Sequence, residues 1–90
     1  MATKLKKTAD ELQIDCEVAS EVIAEYFAFC AKQLAEEKDQ ASPNLEKIEA
    51  IEVQLLALKK EKMSIGVDNS AVINKALYVY APLLTKRAAV

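Results

Sequence analysis

Turn-forming residues are scarce in this chain, with one glycine and two prolines among its 90 residues. A β-sandwich or β-barrel needs a turn signal about every ten residues, so neither architecture fits. Helices need far fewer turns, and 52% of the residues are apolar, which is well above the composition of disordered chains. The chain is therefore predicted to be all-α. Ninety residues support one modest core, so residues 1–90 are expected to form a single domain.

Apolar side chains recur at steps of three and four in three stretches of the chain. This spacing predicts helices over about 9–38, 43–63 and 69–81, arranged as a helical hairpin plus a third helix. The basic ends, 1–7 and 85–90, lie outside this periodicity and are predicted to be mobile.

Capping signals place the start of the first two helices. Thr8 and Glu11 have the spacing of a capping box, which begins the first helix. A second N-cap at Asp15 is the alternative, and it would separate the first turns as a short helix of their own. Ser42 followed by Pro43 is an N-cap residue followed by proline at the first helical position, so the second helix is predicted to begin there.

The third helix follows a stop at Gly66, with Asp68, Asn69 and Ser70 as three successive N-cap candidates. Pro82 cannot donate a backbone hydrogen bond, and its ring clashes with the carbonyl four residues back. The third helix is therefore predicted either to end or to kink at this proline.

The predicted helices carry more apolar surface than one small bundle buries. The main stripe of the first helix is Leu12, Cys16, Ala19, Ile23, Tyr26, Cys30 and Leu34. The second helix is predicted to bury Leu45, Ile48, Ile51, Leu55, Leu58 and Met63, with Leu56 at the margin. Burying each further large apolar side chain at an interface contributes about 1.5–3 kcal/mol before association costs, which favours a homodimer. The predicted interface residues are Ile14, Val18, Val22, Tyr26, Phe29, Tyr78, Tyr80, Leu83 and Leu84.

Localisation is predicted from what the sequence lacks. No apolar run approaches the eighteen or so residues that cross a bilayer, and the lysines near the start are not followed by the apolar stretch of a signal peptide. A cytoplasmic protein without a membrane partner is therefore expected. Cys16 and Cys30 lie about 21 Å apart along one helix and are expected to be reduced thiols.

Catalytic residue types are almost absent. The chain has no histidine, which excludes Ser-His and Cys-His pairs and the commonest zinc ligand, and one glycine cannot build a phosphate-binding loop. We therefore expect no enzyme and no cofactor. Glu17, Glu21 and Glu25 lie on one helix face, and a carboxylate-based metal site formed by them is the third functional hypothesis.

The leading hypothesis is a non-catalytic helical interaction, adaptor or regulatory module that acts as a homo-oligomer. The alternative comes from residues 66–77, whose glycine turn, serine cap and apolar stripe resemble the second helix of ribbon-helix-helix repressors and the recognition helix of helix-turn-helix proteins. This resemblance implies a small DNA-binding transcriptional regulator or antitoxin-like protein that uses residues 59–75. Its phosphate contacts would be Lys59, Lys60, Lys62 and Lys75.

Overall fold

The computed structural model describes residues 8–66 and 69–88, and within these ranges the chain is helical without a strand. Helix α1 spans Ala9–Lys38 and helix α2 spans Leu45–Met63. A continuous run of helix follows, made of α3 (Ser70–Lys75), a π-helical segment (Ala76–Tyr80) and α4 (Ala81–Ala88), and we call this run the C-terminal helix. The all-α prediction and the three-helix architecture are confirmed. The predicted mobile end 1–7, the cap candidate Asp68 and residues 89–90 lie outside the described residues.

Helix α1 begins at the predicted capping box. The Glu11 amide donates to the Thr8 hydroxyl at 3.1 Å, and the Thr8 amide donates to the Glu11 carboxylate at 2.8 Å. These reciprocal bonds satisfy two of the amide groups that a helix start leaves without partners. The helix continues through Asp15 without a break, so Asp15 is not a second N-cap.

Helix α2 begins two residues later than the sequence predicted. Asn44, not Ser42, is the N-cap, and its side chain accepts a hydrogen bond from the Lys47 amide at 3.1 Å. The Asn44 amide in turn donates to the Glu37 carboxylate at 3.0 Å, which ties the end of α1 to the start of α2. Because asparagine caps helices as well as serine does, this tie across the turn decides which residue takes the position.

Helices α1 and α2 form an antiparallel hairpin, and the fully buried side chains gather at one end of it. Helix α1 packs against both α2 and the C-terminal helix there. The buried side chains are Ala19, Ile23, Cys30, Leu58, Ile73, Ala76 and Tyr80. We call this region the core end. No residue from 31 to 57 is fully buried, and we call residues 31–50, around the turn, the hairpin tip.

The C-terminal helix neither ends nor breaks at Pro82 but runs to Ala88. The predicted end at residue 81 is thus too early, and 85–88 are helical. The residues just before the proline adopt the wider π-helical turn, in which the Ala81 amide donates to the carbonyl of Ala76. Pro82 has no amide to donate to Tyr78, so a local change of hydrogen-bond register lets the helix pass the proline ring.

Candidate interaction surface

A polar cluster joins the end of α2 to the C-terminal helix. The Tyr80 hydroxyl donates to one oxygen of the Glu61 carboxylate at 2.6 Å, and the Lys75 ammonium donates to the other at 2.9 Å. The same ammonium lies 5.3 Å from the centre of the Tyr80 ring, and that ring stacks on Tyr26 of α1 with the centroids 4.8 Å apart. One carboxylate therefore helps to hold all three helices together.

The π-helical segment explains how Lys75 and Tyr80 reach the same carboxylate. Residues five apart in an α-helix lie about 140° apart around its axis. The π-turn closes a bond between residues five apart, which brings such residues to nearly the same side. The cluster thus depends on the irregular helix that precedes Pro82.

The protonation states of this cluster favour its assembly. The hydrogen bond to Glu61, followed by contact with Tyr80, raises the pKa of Lys75 above its ordinary value. Burial, and then the bond to Glu61, raises the pKa of Tyr80, while burial and the neighbouring Cys30 raise that of Tyr26. The cluster is accordingly a charged lysine, an acceptor carboxylate and a neutral tyrosine at neutral pH. It is well suited to structural support.

The structure divides the interface residues predicted from the sequence. Tyr80 is only 4% exposed and belongs to the core of its own chain. Four residues are half-buried: Val22, Tyr26, Phe29 and Leu84. Four are exposed: Ile14, Val18, Tyr78 and Leu83. Val22, Tyr26 and Phe29 of α1 pack against the core, whereas Ile14 and Val18 of the same helix remain exposed.

A second apolar surface lies on α2, and the sequence pattern did not predict it. Leu45 and Met63, assigned above to the buried face, are 76% and 78% exposed, and Leu56 is 55% exposed. These three residues share one side of α2, which we call its outer face. Its positions follow steps of four and three: Leu45, Glu49, Glu52, Leu56, Lys59 and Met63. Only Leu45, Leu56 and Met63 of these six positions are apolar. The outer face is therefore a weaker apolar pattern than the stripe through Leu58, and the sequence alone does not single it out.

A groove of about 440 Å³ adjoins one end of the outer face, between α1 and α2. The fully buried side chains of Ile23 and Leu58 form its floor, and Phe27 and Met63, which are exposed, also line it. Two exposed lysines, Lys59 and Lys62, complete the lining. The groove is thus apolar inside and positively charged at its edge.

The lysines predicted to contact DNA do not form one surface. Lys59, Lys60 and Lys62 are exposed on the last turns of α2. Lys75 also has an exposed side chain, but its ammonium bonds the Glu61 carboxylate at 2.9 Å. A phosphate contact by Lys75 would therefore have to displace an intramolecular ion pair.

The acidic row of α1 shows no second set of ligands. Glu17, Glu21 and Glu25 are exposed, and Glu17 accepts a hydrogen bond from Gln13 at 3.2 Å. Within residues 8–66 and 69–88, no three cysteine, aspartate or glutamate side chains are grouped as metal ligands. In the same ranges, no helix combines the length and the apolar character that a bilayer crossing requires.

No family model, curated protein or solved structure matches this chain. The features that bear on function are therefore those of the surface: apolar side chains exposed along α2, and a groove with lysines at its edge.

Proposed function

We propose that this chain is a cytoplasmic, non-catalytic helical interaction module that acts as a homo-oligomer. The observation that carries the proposal is the exposure of large apolar side chains along a regular helix face. On α2, Leu45 and Met63 are each more than 70% exposed, and Leu56 between them is 55% exposed. Single exposed apolar residues are ordinary, but a row of them on one helix is typical of a protein–protein interface.

The composition of the chain supports the non-catalytic part of the proposal. The sequence lacks histidine, and the most organised polar cluster, around Glu61, joins helices instead of lining a pocket. Cys16 and Cys30 are both unbonded thiols, and burial raises the pKa of Cys30, which makes it less reactive. Unbonded thiols agree with a reducing compartment.

Sedimentation or light scattering tests the proposal, with protein concentrations from about 1 µM to about 1 mM spanning weak association. We expect the mean mass to rise from that of the 9.9 kDa chain to at least twice that value. A mass that stays at one chain over the whole range would contradict the homo-oligomer.

A further inference from the structure

We propose that two copies of this chain associate through the outer faces of α2, packed antiparallel about a twofold axis level with Gln54. This inference rests on the homo-oligomer proposed above and specifies the face that forms it. The outer face has the heptad spacing along which one helix packs against another. It is exposed along its whole length.

The antiparallel register follows from the sequence of the outer face. Positions at equal distances on either side of Gln54 come together when two identical helices pack antiparallel about that level. The resulting contacts join Leu45 with Met63, Glu49 with Lys59, and Glu52 with Leu56. Each contact occurs twice, because the axis relates the two copies. Apolar residues thus meet apolar residues at both ends of the helix pair.

Charge favours this direction of packing. The exposed carboxylates lie in the first half of α2 (Glu46, Glu49 and Glu52), and the exposed ammonium groups lie in the second half (Lys59, Lys60 and Lys62). Lys47 and Glu61 break this pattern, but each is paired within the chain, with Glu37 at 3.2 Å and with Lys75 at 2.9 Å. Glu52 is also paired, with Lys38 at 3.7 Å, so the pattern rests on Glu46, Glu49 and the three lysines. Antiparallel packing brings unlike charges together, whereas parallel packing would bring like charges together.

Glu49 and Lys59 are the most informative pair. Within the described part of the chain, neither has an ion-pair partner. Both lie on the heptad positions of the outer face, so the second copy would supply the missing partner for each. Partners supplied in this way give an interface direction and specificity more than affinity.

Each copy has one groove, at the end of its own α2, so one groove lies at each end of the paired helices. In this register Leu45 of one copy lies level with Met63 of the other, beside the groove that Phe27 also lines. Glu49, one turn after Leu45, would meet Lys59 at the edge of the groove. An exposed apolar residue with an acid one turn away thus matches an apolar groove with a lysine at its edge. This match favours a second copy over an unrelated apolar ligand.

The exposed apolar residues of the other two helices that lie outside the groove do not show this match. Tyr78, Val79 and Leu83 lie on the C-terminal helix, and Ile14 and Val18 lie on α1. Charges are not divided along either helix as they are along α2. Association through these residues of α1 and the C-terminal helix is therefore the competing outcome of the test.

Charge exchange at Glu49 and Lys59 tests the α2 pairing. Glu49→Lys or Lys59→Glu alone places two like-charged contacts in the dimer, and we expect dimerisation to weaken by about tenfold or more. The double variant, Glu49→Lys with Lys59→Glu, should restore it. An equimolar mixture of the two single variants should also restore association, as a heterodimer, because both of its contacts then join unlike charges.

Matched controls carry the same charge changes elsewhere. Glu25→Lys and Lys32→Glu alter exposed residues of α1. Glu25 lies about 160° around that helix from Phe27, which lines the groove, so it is on the opposite side of α1 from the groove. Neither change should affect the dimer. Circular dichroism of each variant verifies that the helices remain folded, as expected for substitutions at exposed positions.

The outcomes separate the two proposals. The α2 pairing would be supported if the single variants lose dimerisation and if the double variant and the mixture recover it. A dimer that is insensitive to charge at positions 49 and 59, or that dissociates with Tyr78→Ser instead, would overturn that pairing and leave the homo-oligomer standing. A wild-type chain that is monomeric at every concentration would overturn the homo-oligomer itself.

Discussion

The core end and the hairpin tip of this molecule are built from the same two helices but are stabilised differently. At the core end, the C-terminal helix packs against the hairpin as a third helix, and Ile23 and Leu58 are completely buried. At the hairpin tip, only α1 and α2 face each other, and Leu34 and Ile48 are half-buried. Two helices leave each other's flanks open to water, so burial requires a third element or a second copy.

The polar contacts of the two regions differ in the same way. At the core end, Glu61 bonds two side chains of another helix, one of them the buried Tyr80. At the tip, Glu37 bonds the Asn44 amide and Lys47 across a short turn. The first carboxylate fixes how helices pack, and the second fixes where α2 begins. The overall shape, 57 × 28 × 24 Å, is elongated, and the 30 residues of α1 span about 45 Å of it.

Leucine truncation in the two regions should give the largest contrast. Leu58→Ala leaves a cavity in the core and should lower the free energy of unfolding by about 2–5 kcal/mol. Leu34→Ala, at a half-buried position, should lower it by about 1 kcal/mol. Urea denaturation at a low protein concentration measures both. Equal losses would mean that the tip is packed as tightly as the core end.

Removal of the carboxylate of the core end, compared with removal of an exposed carboxylate that pairs with Lys38 of the hairpin tip, should give a smaller contrast. Glu61→Ala leaves the buried Tyr80 hydroxyl without its acceptor, so we expect a loss of about 1–3 kcal/mol. Glu52→Ala breaks the exposed 3.7 Å pair with Lys38, and such pairs contribute about 0–1 kcal/mol. The same denaturation experiment compares the two variants. A loss for Glu61→Ala no larger than that for Glu52→Ala would contradict the structural role of the cluster.

Alkaline pH should weaken the core end selectively. The folded-state pKa values of Lys75 and Tyr80 are both raised from their ordinary values of 10.5 and 10.0. Groups with raised folded-state pKa values contribute stability that is complete below the unfolded-state pKa and is lost as pH rises through the folded-state value. The raised pKa values of Tyr26 and Cys30 act in the same direction. We therefore expect the free energy of unfolding to fall with rising pH from about pH 9 upward.

Tyr80→Phe tests this assignment. It should lower stability at neutral pH and make the alkaline decline shallower, because the Tyr80 hydroxyl no longer titrates. Leu34→Ala is the control, since it should lower stability without changing the slope. An unchanged slope in Tyr80→Phe would show that the decline arises elsewhere.

Much of this fold follows from local sequence signals. The capping box at Thr8, the stripe through Ile23 and the helical period of each segment describe short-range chemistry that a single segment contains. The cap at Asn44 was missed, because the Glu37 carboxylate that fixes it comes from the preceding helix. The π-helical segment was also missed, since Pro82 indicates a disturbance but not the bond register that accommodates it.

The candidate surface was harder to predict than the fold. The apolar period of α2 is shared by two stripes, and only packing decides which one is buried. Leu45 and Met63 were assigned to the buried stripe because they are apolar and helically spaced. The C-terminal helix contacts α2 on the side of Glu61. The outer face therefore has no neighbouring helix to cover it. Tyr80 shows the opposite error: it was predicted to be an interface residue, but it belongs to the core.

Isotope-filtered nuclear Overhauser spectroscopy on a mixture of labelled and unlabelled chains tests the α2 pairing most directly. Leu45 and Met63 lie about 27 Å apart along one α2 helix, too far for a contact within a chain. The α2 pairing predicts cross-peaks between the Leu45 methyl groups of one copy and the Met63 methyl group of the other. Intermolecular cross-peaks confined to Tyr78, Leu83, Ile14 or Val18 would contradict it.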